Sequence, residues 1–118
     1  MEPQTKITYF RHGKEFFLPT EGVLFFEASD DNTYAHTREY IYRVKFRLYE
    51  IEAILPDEFI RVSKSAVANV GQVVTFSSRV GTTGMVEFFG AHKRLHVSRK
   101  YIKSLRARLG SRSNYENT

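Results

Sequence analysis

Residues 23–44 read VLFFEASDDNTYAHTREYIYRV and contain short apolar segments separated by polar turns. Residues 23–28, VLFFEA, have the apolar content of a buried strand. Residues 29–32, SDDN, form a polar loop of side chains that hydrogen-bond to their own backbone in turns. Residues 33–37 and 40–44 then read as another strand pair. The stretch therefore predicts short strands that follow one another through tight turns.

The segment before this stretch predicts a hairpin. Residues 6–10, KITYF, and residues 14–18, KEFFL, are two short strands on either side of RHG at 11–13. The turn cluster PTEG at 19–22 separates this hairpin from the central stretch.

On the C-terminal side, the apolar spacing first changes to that of a helix. Val44, Leu48, Ile51 and Leu55 fall on one helical face, which ends before Pro56. A second strand-rich block then predicts strands at residues 59–62, 66–70, 72–77, 84–89 and 94–97.

A second helix is predicted at the C-terminal end of the chain, with Ser98 as its N-cap and Gly110 as its stop. Its apolar face consists of Tyr101, Ile102, Leu105 and Leu109. Many short strands with two short helices predict a mainly β sandwich or barrel, because a parallel α/β fold would need helices between its strands.

Length and composition limit the class of protein. A chain of 118 residues, 42% of them hydrophobic, can bury one core. The absence of cysteine excludes disulfide scaffolds, thiolate metal sites and cysteine nucleophiles. No apolar run approaches the roughly 18 residues of a membrane span, and the start MEPQTK lacks the pattern of a signal peptide. We expect a cytoplasmic protein with one domain over residues 1–110 and a polar, disordered tail over residues 111–118.

Charge is distributed unevenly along the chain. Residues 1–57 contain 7 basic and 10 acidic side chains, whereas residues 58–118 contain 11 basic and 3 acidic ones. Residues 93–112 carry eight basic side chains and no acidic one. This asymmetry favours a polyanionic partner, and a solvated basic face is the alternative that charge alone leaves open.

Signals for an enzyme are weak. The four histidines lack the spacing of a zinc pair on a helix: His12, His36, His92 and His96. Glu27, Asp30 and Asp31 lie at a strand end and in a loop, where turn capping or solvation accounts for them. GTTG at 81–84 lacks the P-loop lysine, and no GxSxG nucleophile elbow occurs. We expect no enzyme, no metal, no cofactor and no small-molecule substrate.

Signals for nucleic-acid binding are stronger. Regular alternation over residues 59–65 would place Ser63 and Ser65 on the side of Phe59 and Arg61, with Lys64 on the other side. Serine hydroxyls can bind phosphate, and lysine can reach phosphate or a guanine edge. Residues 97–100, VSRK, bring hydroxyl and guanidinium groups to a helix N-terminus, where free amides also favour an anion.

Four stretches together carry a family resemblance: FFEASDDNTYAHT at 25–37, IEAILP at 51–56, FIRVSKSAVANVGQV at 59–73 and LHVSRKYIKSL at 95–105. In this order the chain resembles the LytTR DNA-binding domain, the output module of many bacterial response regulators. The resemblance covers about residues 5–109. Its most specific parts are F-x-R-V-x-K-S-x-x-x-N at 59–69 and V-S-R-K-Y-x-x-x-L at 97–105.

The resemblance implies a particular fold and mode of binding. The fold would be an elongated stack of small antiparallel sheets, resembling a sandwich, with two short helices. Loops, and not a recognition helix, would enter successive major grooves of paired or tandem promoter elements on double-stranded DNA and control transcription. The implied base contacts are Asn32, Lys64 and Arg99, residue types that suit adenine or guanine edges. The phosphate contacts would be Ser63, Ser65, Ser98 and Lys100, and we expect a further backbone contact from Lys103.

The chain departs from the family pattern near two of these motifs. It has Ser63 and Ala66 where an aromatic residue or histidine is common, and Thr33 where tyrosine is common. These differences affect which DNA sequence the chain is expected to prefer more than they affect its expected fold. The resemblance allows a homodimer on DNA and, for a stand-alone regulator, a membrane-protein inhibitor. Whether the chain is a stand-alone regulator or a domain of a response regulator is left open.

Other interpretations compete with this one. Exposed rings among the paired phenylalanines would suit an OB-type barrel that binds single-stranded nucleic acid, or an apolar interaction module. We expect instead that these pairs place one ring on each face of a sheet, mainly in the core. We expect Asn69 to fix a turn after the second motif.

Overall fold

The computed structural model describes residues 5–79, 82–91 and 93–110. Within these ranges the strands and α-helices are, in chain order, β1 (Lys6–Arg11), β2 (Lys14–Pro19), β3 (Phe25–Ser29), β4 (Asn32–His36), β5 (Ile41–Val44), α1 (Leu48–Ile54), β6 (Phe59–Ser63), β7 (Ala66–Asn69), β8 (Val73–Ser78), β9 (Gly84–Phe88), β10 (Leu95–Val97) and α2 (Arg99–Gly110). The expected tail at 111–118 and His92 lie outside the described residues.

The described strands form two antiparallel sheets. The large sheet has the order β2-β1-β5-β4-β3-β7-β6, and the small sheet has the order β10-β9-β8. The large sheet ends at β2 and β6, so it is open and does not close into the barrel that the OB-type alternative requires. The molecule measures 47 × 30 × 30 Å, which confirms the expected elongated, mainly β fold with two helices.

The large sheet has an apolar core on each of its faces. On β3, Phe25 belongs to one core and its neighbour Phe26 to the other, because successive strand side chains point to opposite faces. The core of Phe25 lies against the small sheet and α2, and includes Val86, Val97 and Leu105. The core of Phe26 lies against α1, and includes Ile7, Ile51 and Val67. The prediction that paired phenylalanines divide between faces is thus confirmed for β3.

In the other phenylalanine pairs only Phe88 is buried, so the prediction that these pairs lie mainly in the core is wrong for Phe16, Phe17 and Phe89. Phe88 is buried, whereas Phe89 is 70% exposed just beyond the end of β9. On the edge strand β2, Phe16 is 36% and Phe17 is 61% exposed. Phe16 stacks on Tyr9 with ring centroids 5.2 Å apart, so part of its surface is covered by the neighbouring strand.

Most predicted strand boundaries lie within two residues of the observed ones, and two differences change where a named residue lies. Val44 is the last residue of β5, where it pairs with Tyr9 and Thr33, and α1 begins only at Leu48. The helical spacing from Val44 was therefore a coincidence of a strand end followed by a short helix. Asn32, placed in a loop by the sequence pattern, is the first residue of β4 and pairs with Ser29. The β3–β4 connection is a two-residue turn.

The predicted alternation over residues 59–65 holds through Val62, which shares one core with Ile60 while Phe59 belongs to the other, and it is interrupted after Val62. The β6–β7 pairing shifts register between Arg61 and Ser63, so that Val62 is passed over in the ladder. Such a bulge places two residues of one strand against one of its partner and changes the direction of the side chains after it. Val62 and Ser63 are both buried, and beyond Val62 the pairing no longer follows the regular alternation that the sequence pattern predicted.

Asn69 has the structural role that was predicted for it. Its buried side chain donates from Nδ2 to the Val23 carbonyl at 2.9 Å. Its Oδ1 accepts from the Gly71 N–H at 3.1 Å, at the start of the turn that leads to β8. The amide thereby fixes the end of β7 against the segment that precedes β3.

Candidate nucleic-acid interface

Three segments that are distant in the sequence meet at one end of the large sheet: the β3–β4 turn, the β6–β7 turn and the N-terminal end of α2. The Ala28 N–H donates to the Ser65 carbonyl at 2.8 Å, which places the β6–β7 turn beside the end of β3. The Ser98 N–H donates to the Val62 carbonyl at 2.8 Å, which places the start of α2 beside β6. These neighbouring segments carry the three predicted base-reading residues, Asn32, Lys64 and Arg99.

The β3–β4 turn consists of Asp30 and Asp31, which both have positive φ, at 51° and 67°. Aspartate tolerates this conformation better than most residues other than glycine, which explains the local sequence. Asn32 follows the turn and donates from Nδ2 to the Asp30 carbonyl at 3.2 Å. A side-chain amide also has a second N–H and a carbonyl oxygen, so Asn32 has further donor and acceptor groups for a base edge.

The charges around this turn are mixed. The exposed carboxylates of Asp30 and Asp31 stand at its tip and disfavour close contact with phosphate. Arg47 is exposed and lines the same hollow as Asn32. No local sequence pattern connects Arg47 with Asn32. The two residues come close because β5, which Arg47 follows, pairs with β4. The geometry suits a turn that meets base edges with a basic side chain beside it.

The β6–β7 turn presents Lys64 and Ser65, both exposed. Ser63, predicted as a phosphate contact, is buried and accepts the Ser65 N–H at its Oγ, at 3.2 Å. Because Ser63 is buried, little of its surface can reach a phosphate. Its hydroxyl instead stabilises the turn by accepting the Ser65 N–H. Arg61 donates from Nε to the Ser63 carbonyl at 2.8 Å and from Nη2 to the Lys64 carbonyl at 2.9 Å. The sequence motif contains Arg61, but its spacing does not reveal these bonds.

The N-terminal end of α2 presents its basic side chains to solvent. Arg99, Lys100 and Lys103 are exposed, and Ser98 is half-buried immediately before the helix. The Ser98 carbonyl accepts the Tyr101 N–H at 2.9 Å, which begins the helical hydrogen bonding where the sequence predicted it. The free N–H groups and dipole of a helix N-terminus add to the attraction of these side chains for an anion.

A hollow between the β6–β7 turn and α2 adds residues to the predicted set. Lys64, Ser65 and Ser98 line it together with three residues from the segment around β10, namely Lys93, Arg94 and His96. The charge pattern did mark residues 93–112 as basic, although it assigned no role to these three. Lys93 Nζ lies 2.6 Å from Glu27 Oε1, and Arg94 Nε lies 4.0 Å from Glu87 Oε2. The hollow is a basic surface in which Lys93 is partly neutralised.

Glu27 also connects this hollow with a buried histidine. His36 Nε2 lies 3.4 Å from Glu27 Oε1, and the His36 ring stacks on Phe25 with centroids 4.2 Å apart. Burial lowers the pKa of His36; the Glu27 carboxylate opposes this effect and the Lys93 ammonium adds to it. His36 is therefore neutral in the folded protein at neutral pH.

We expect His36 to make the protein less stable as the pH falls. Because its pKa is lower in the folded than in the unfolded chain, where it is 6.5, the unfolded chain binds the proton first. The stabilisation is present above about pH 6.5 and is lost as the pH falls toward the folded pKa, at no more than about 1.4 kcal/mol per pH unit. Urea unfolding between pH 7 and pH 5 should show a shallower pH dependence for His36→Gln. Equal slopes for the two proteins would contradict the prediction.

Comparison with known proteins identifies the family. The LytTr DNA-binding domain family matches residues 13–110. The chain belongs to the LytTR family of DNA-binding domains. Curated relatives of this LytTR domain include uncharacterized HTH-type transcriptional regulators of Staphylococcus aureus. One from strain bovine RF122 / ET3-1 is 35% identical over 89 residues, and one from strain NCTC 8325 / PS 47 is 34% identical over 89 residues. Each alignment covers 74% of this chain and 58% of the relative, so the chain spans little more than half of their length.

A solved structure supports the same assignment. The LytTr DNA-binding domain of a putative methyl-accepting/DNA response regulator from Bacillus cereus superposes with a TM-score of 0.80 and 28% identity. The match covers 91% of this chain and 98% of that one. The family and the fold expected from the sequence motifs are thus confirmed, and the chain is a DNA-binding domain of the kind found in transcriptional regulators.

None of the helices in residues 5–79, 82–91 and 93–110 is long and apolar enough to cross a membrane. In the same ranges, no group of three or more histidine, aspartate or glutamate side chains could hold a metal ion.

Proposed function

We propose that this LytTR domain binds double-stranded DNA sequence-specifically by inserting the β3–β4 turn, the β6–β7 turn and the N-terminal end of α2 into successive major grooves. The observation that supports this proposal is the meeting of these three segments at one end of the large sheet. The major groove distinguishes all four base pairs by their donors and acceptors. Short turns on a rigid sheet can present single side chains to those base edges.

Each of the three segments contributes one proposed base-reading side chain. Asn32 is suited to adenine, because its amide N–H can donate to adenine N7 while its carbonyl oxygen accepts from the N6 amino group. Lys64 and Arg99 are exposed cations suited to the acceptors of guanine. These assignments rest on the family motif together with the exposure of both cations.

Phosphate contacts would set the register of the domain on the duplex. We assign them to Ser65, Ser98, Lys100 and Lys103, which flank the base-reading residues. Ser63 was also predicted as a phosphate contact, but its burial favours a role in shaping the β6–β7 turn over a direct contact. Arg94, in the hollow between the turn and α2, is a suitable additional contact because its side chain is 67% exposed.

The proposal extends to partners and location. A paired or tandem promoter element would take two copies of the domain, one for each repeat, and a homodimer on DNA is one way to hold them. If the chain is a stand-alone regulator, the family resemblance implies a membrane protein as its inhibitor. We further propose that the protein acts in the cytoplasm, where promoter DNA would be its ligand.

Fluorescence anisotropy provides the first test. Duplex and single-stranded DNA of one sequence, taken from upstream of the gene for this protein, are titrated at several salt concentrations, with a random duplex as control. Tight binding to a particular duplex near physiological salt is the expected result. Preference for the single strand would contradict the proposal, and so would equal binding to the specific and the random duplex.

We expect Lys103→Ala to weaken binding to all duplexes alike. A phosphate contact carries no sequence information, and its loss should reduce the slope of log K against log salt by about one. The control is Lys14→Ala, which removes an exposed lysine from β2 at the outer edge of the large sheet. A loss confined to one sequence would show that Lys103 reads a base instead.

A further inference from the structure

Arg61 lies behind the β6–β7 turn and contacts it through two groups of its guanidinium. Nε donates to the carbonyl of Ser63, and Nη2 donates to the carbonyl of Lys64. These are consecutive carbonyls at the point where the chain reverses direction. One planar side chain therefore fixes the orientation of two successive peptide units, including the one that follows the Lys64 Cα.

The turn needs such support because the strand that leads into it is irregular. The β6–β7 ladder shifts register between Arg61 and Ser63, so the regular pairing does not define the direction of the last residues of β6. On the other side of the turn, the Ser65 carbonyl accepts the Ala28 N–H and the Ser65 N–H reaches Ser63 Oγ. Neither of these bonds involves the carbonyls of Ser63 and Lys64, and Arg61 donates to both of them.

Glu52 holds Arg61 from the opposite side. Its Oε1 accepts from Arg61 Nη1 at 2.5 Å. Glu52 belongs to α1, whose Leu48 and Ile51 are buried in the core on that face of the sheet. The Arg61 side chain is only 21% exposed, so it is placed between helix and turn and is not presented to solvent like Lys64.

We propose that Arg61 is a positioning residue, which holds the β6–β7 turn so that Lys64 meets its base, and which does not itself contact DNA. This inference rests on the proposed function, since it assumes that Lys64 reads a base. Lysine at position 61 would keep the charge, but its single ammonium cannot reproduce the fork that joins two carbonyls and a carboxylate. Charge and geometry can therefore be separated by experiment.

The test is a double-mutant cycle between Arg61 and Lys64. Arg61→Lys, Lys64→Ala and the double variant are titrated with the specific and the random duplex, and thermal unfolding checks that each is folded. We expect Arg61→Lys to lower affinity for the specific duplex about tenfold, with little change on the random duplex or in the salt slope. In the Lys64→Ala background the same change should cost less than about twofold. Arg11→Lys, on the β1–β2 hairpin, is the matched arginine control.

The possible outcomes separate the two proposals. If Arg61→Lys lowers affinity for the specific duplex as much in the Lys64→Ala background as in the unaltered protein, the positioning role is overturned. Unchanged affinity of Arg61→Lys for the specific duplex would overturn it as well. If Lys64→Ala alone has no effect, the base assignment fails, and the turn is then examined by ¹⁵N relaxation of the Lys64 and Ser65 amides. Mobile amides in Arg61→Lys would support the positioning of the turn, whereas amides as rigid as in the unaltered protein would overturn it.

Discussion

Phe26→Ala and Phe25→Ala should each lower the free energy of unfolding by about 3–5 kcal/mol, the range found when a large buried ring is truncated. Phe26 is 0% exposed and packs against Phe59, with ring centroids 5.7 Å apart. Phe25 is 1% exposed and stacks on His36 and Phe88. The rings lie on opposite faces of the central part of the large sheet, so each truncation leaves a cavity in a different core. Urea unfolding measures both effects.

The matched control is Phe17→Ala on the edge strand β2. Phe17 is 61% exposed, so its truncation should change the free energy of unfolding far less than that of either buried ring. Because both cores share β3, we expect each variant to unfold in one transition. A change below about 1 kcal/mol for Phe25→Ala or Phe26→Ala would contradict the packing described here.

Lys64→Ala and Arg99→Ala should each weaken binding to the specific duplex by about 1–3 kcal/mol, the discrimination that one good base contact provides. Both side chains are exposed, on the β6–β7 turn and at the start of α2, so neither truncation removes core packing. Anisotropy titration measures the loss, and circular dichroism should stay native for both variants. The loss should be much smaller on a random duplex, which depends mainly on phosphate contacts.

Lys14→Ala again serves as the charge-matched control, since Lys14 is exposed at the hairpin end of β2. Unchanged binding by both Lys64→Ala and Arg99→Ala would show that the site assignment is wrong. An equal loss on specific and random duplexes would reassign these residues to phosphate.

The role of Asn32 needs a separate measurement, because its side chain also supports the turn through Asp30. Asn32→Ala should shift the base preference at one position in a selection from randomised duplexes, with the other positions unchanged. An unshifted preference would contradict base reading by Asn32. Asp31→Asn, which keeps the side-chain size at the tip of the same turn, controls for changes in turn charge.

The sequence predicted most of the local structure because local structure depends on local pattern. The hairpin of β1 and β2, the second strand block and the C-terminal helix lie close to where alternation, turn residues and apolar spacing placed them. The pattern was wrong where two elements adjoin, as at Val44, and where a bulge interrupts the alternation between Arg61 and Ser63. A bulge has no reliable sequence signal, since it is decided by the strand against which the chain pairs.

The residues of the candidate site also divide into those that the sequence pattern predicted and those that only the structure revealed. The motifs at 59–69 and 97–105 pointed to Lys64 and Arg99 and to the family, because residue types at fixed spacing are visible in a sequence. The support from Arg61 and Glu52, and the proximity of Arg47 to Asn32, were not visible. Each depends on contacts between elements that are apart in the chain.

By itself, the sequence determined the class of fold, the order of its strands and helices, the basic C-terminal half and the LytTR family. Only the tertiary structure decided that β5 lies between β1 and β4, that β7 lies beside β3, and that three distant segments therefore meet at one end of the sheet. The physical reason is that local propensities depend on neighbouring residues in the chain. The arrangement of strands depends on which apolar faces and unpaired backbone groups can be satisfied together in one folded molecule.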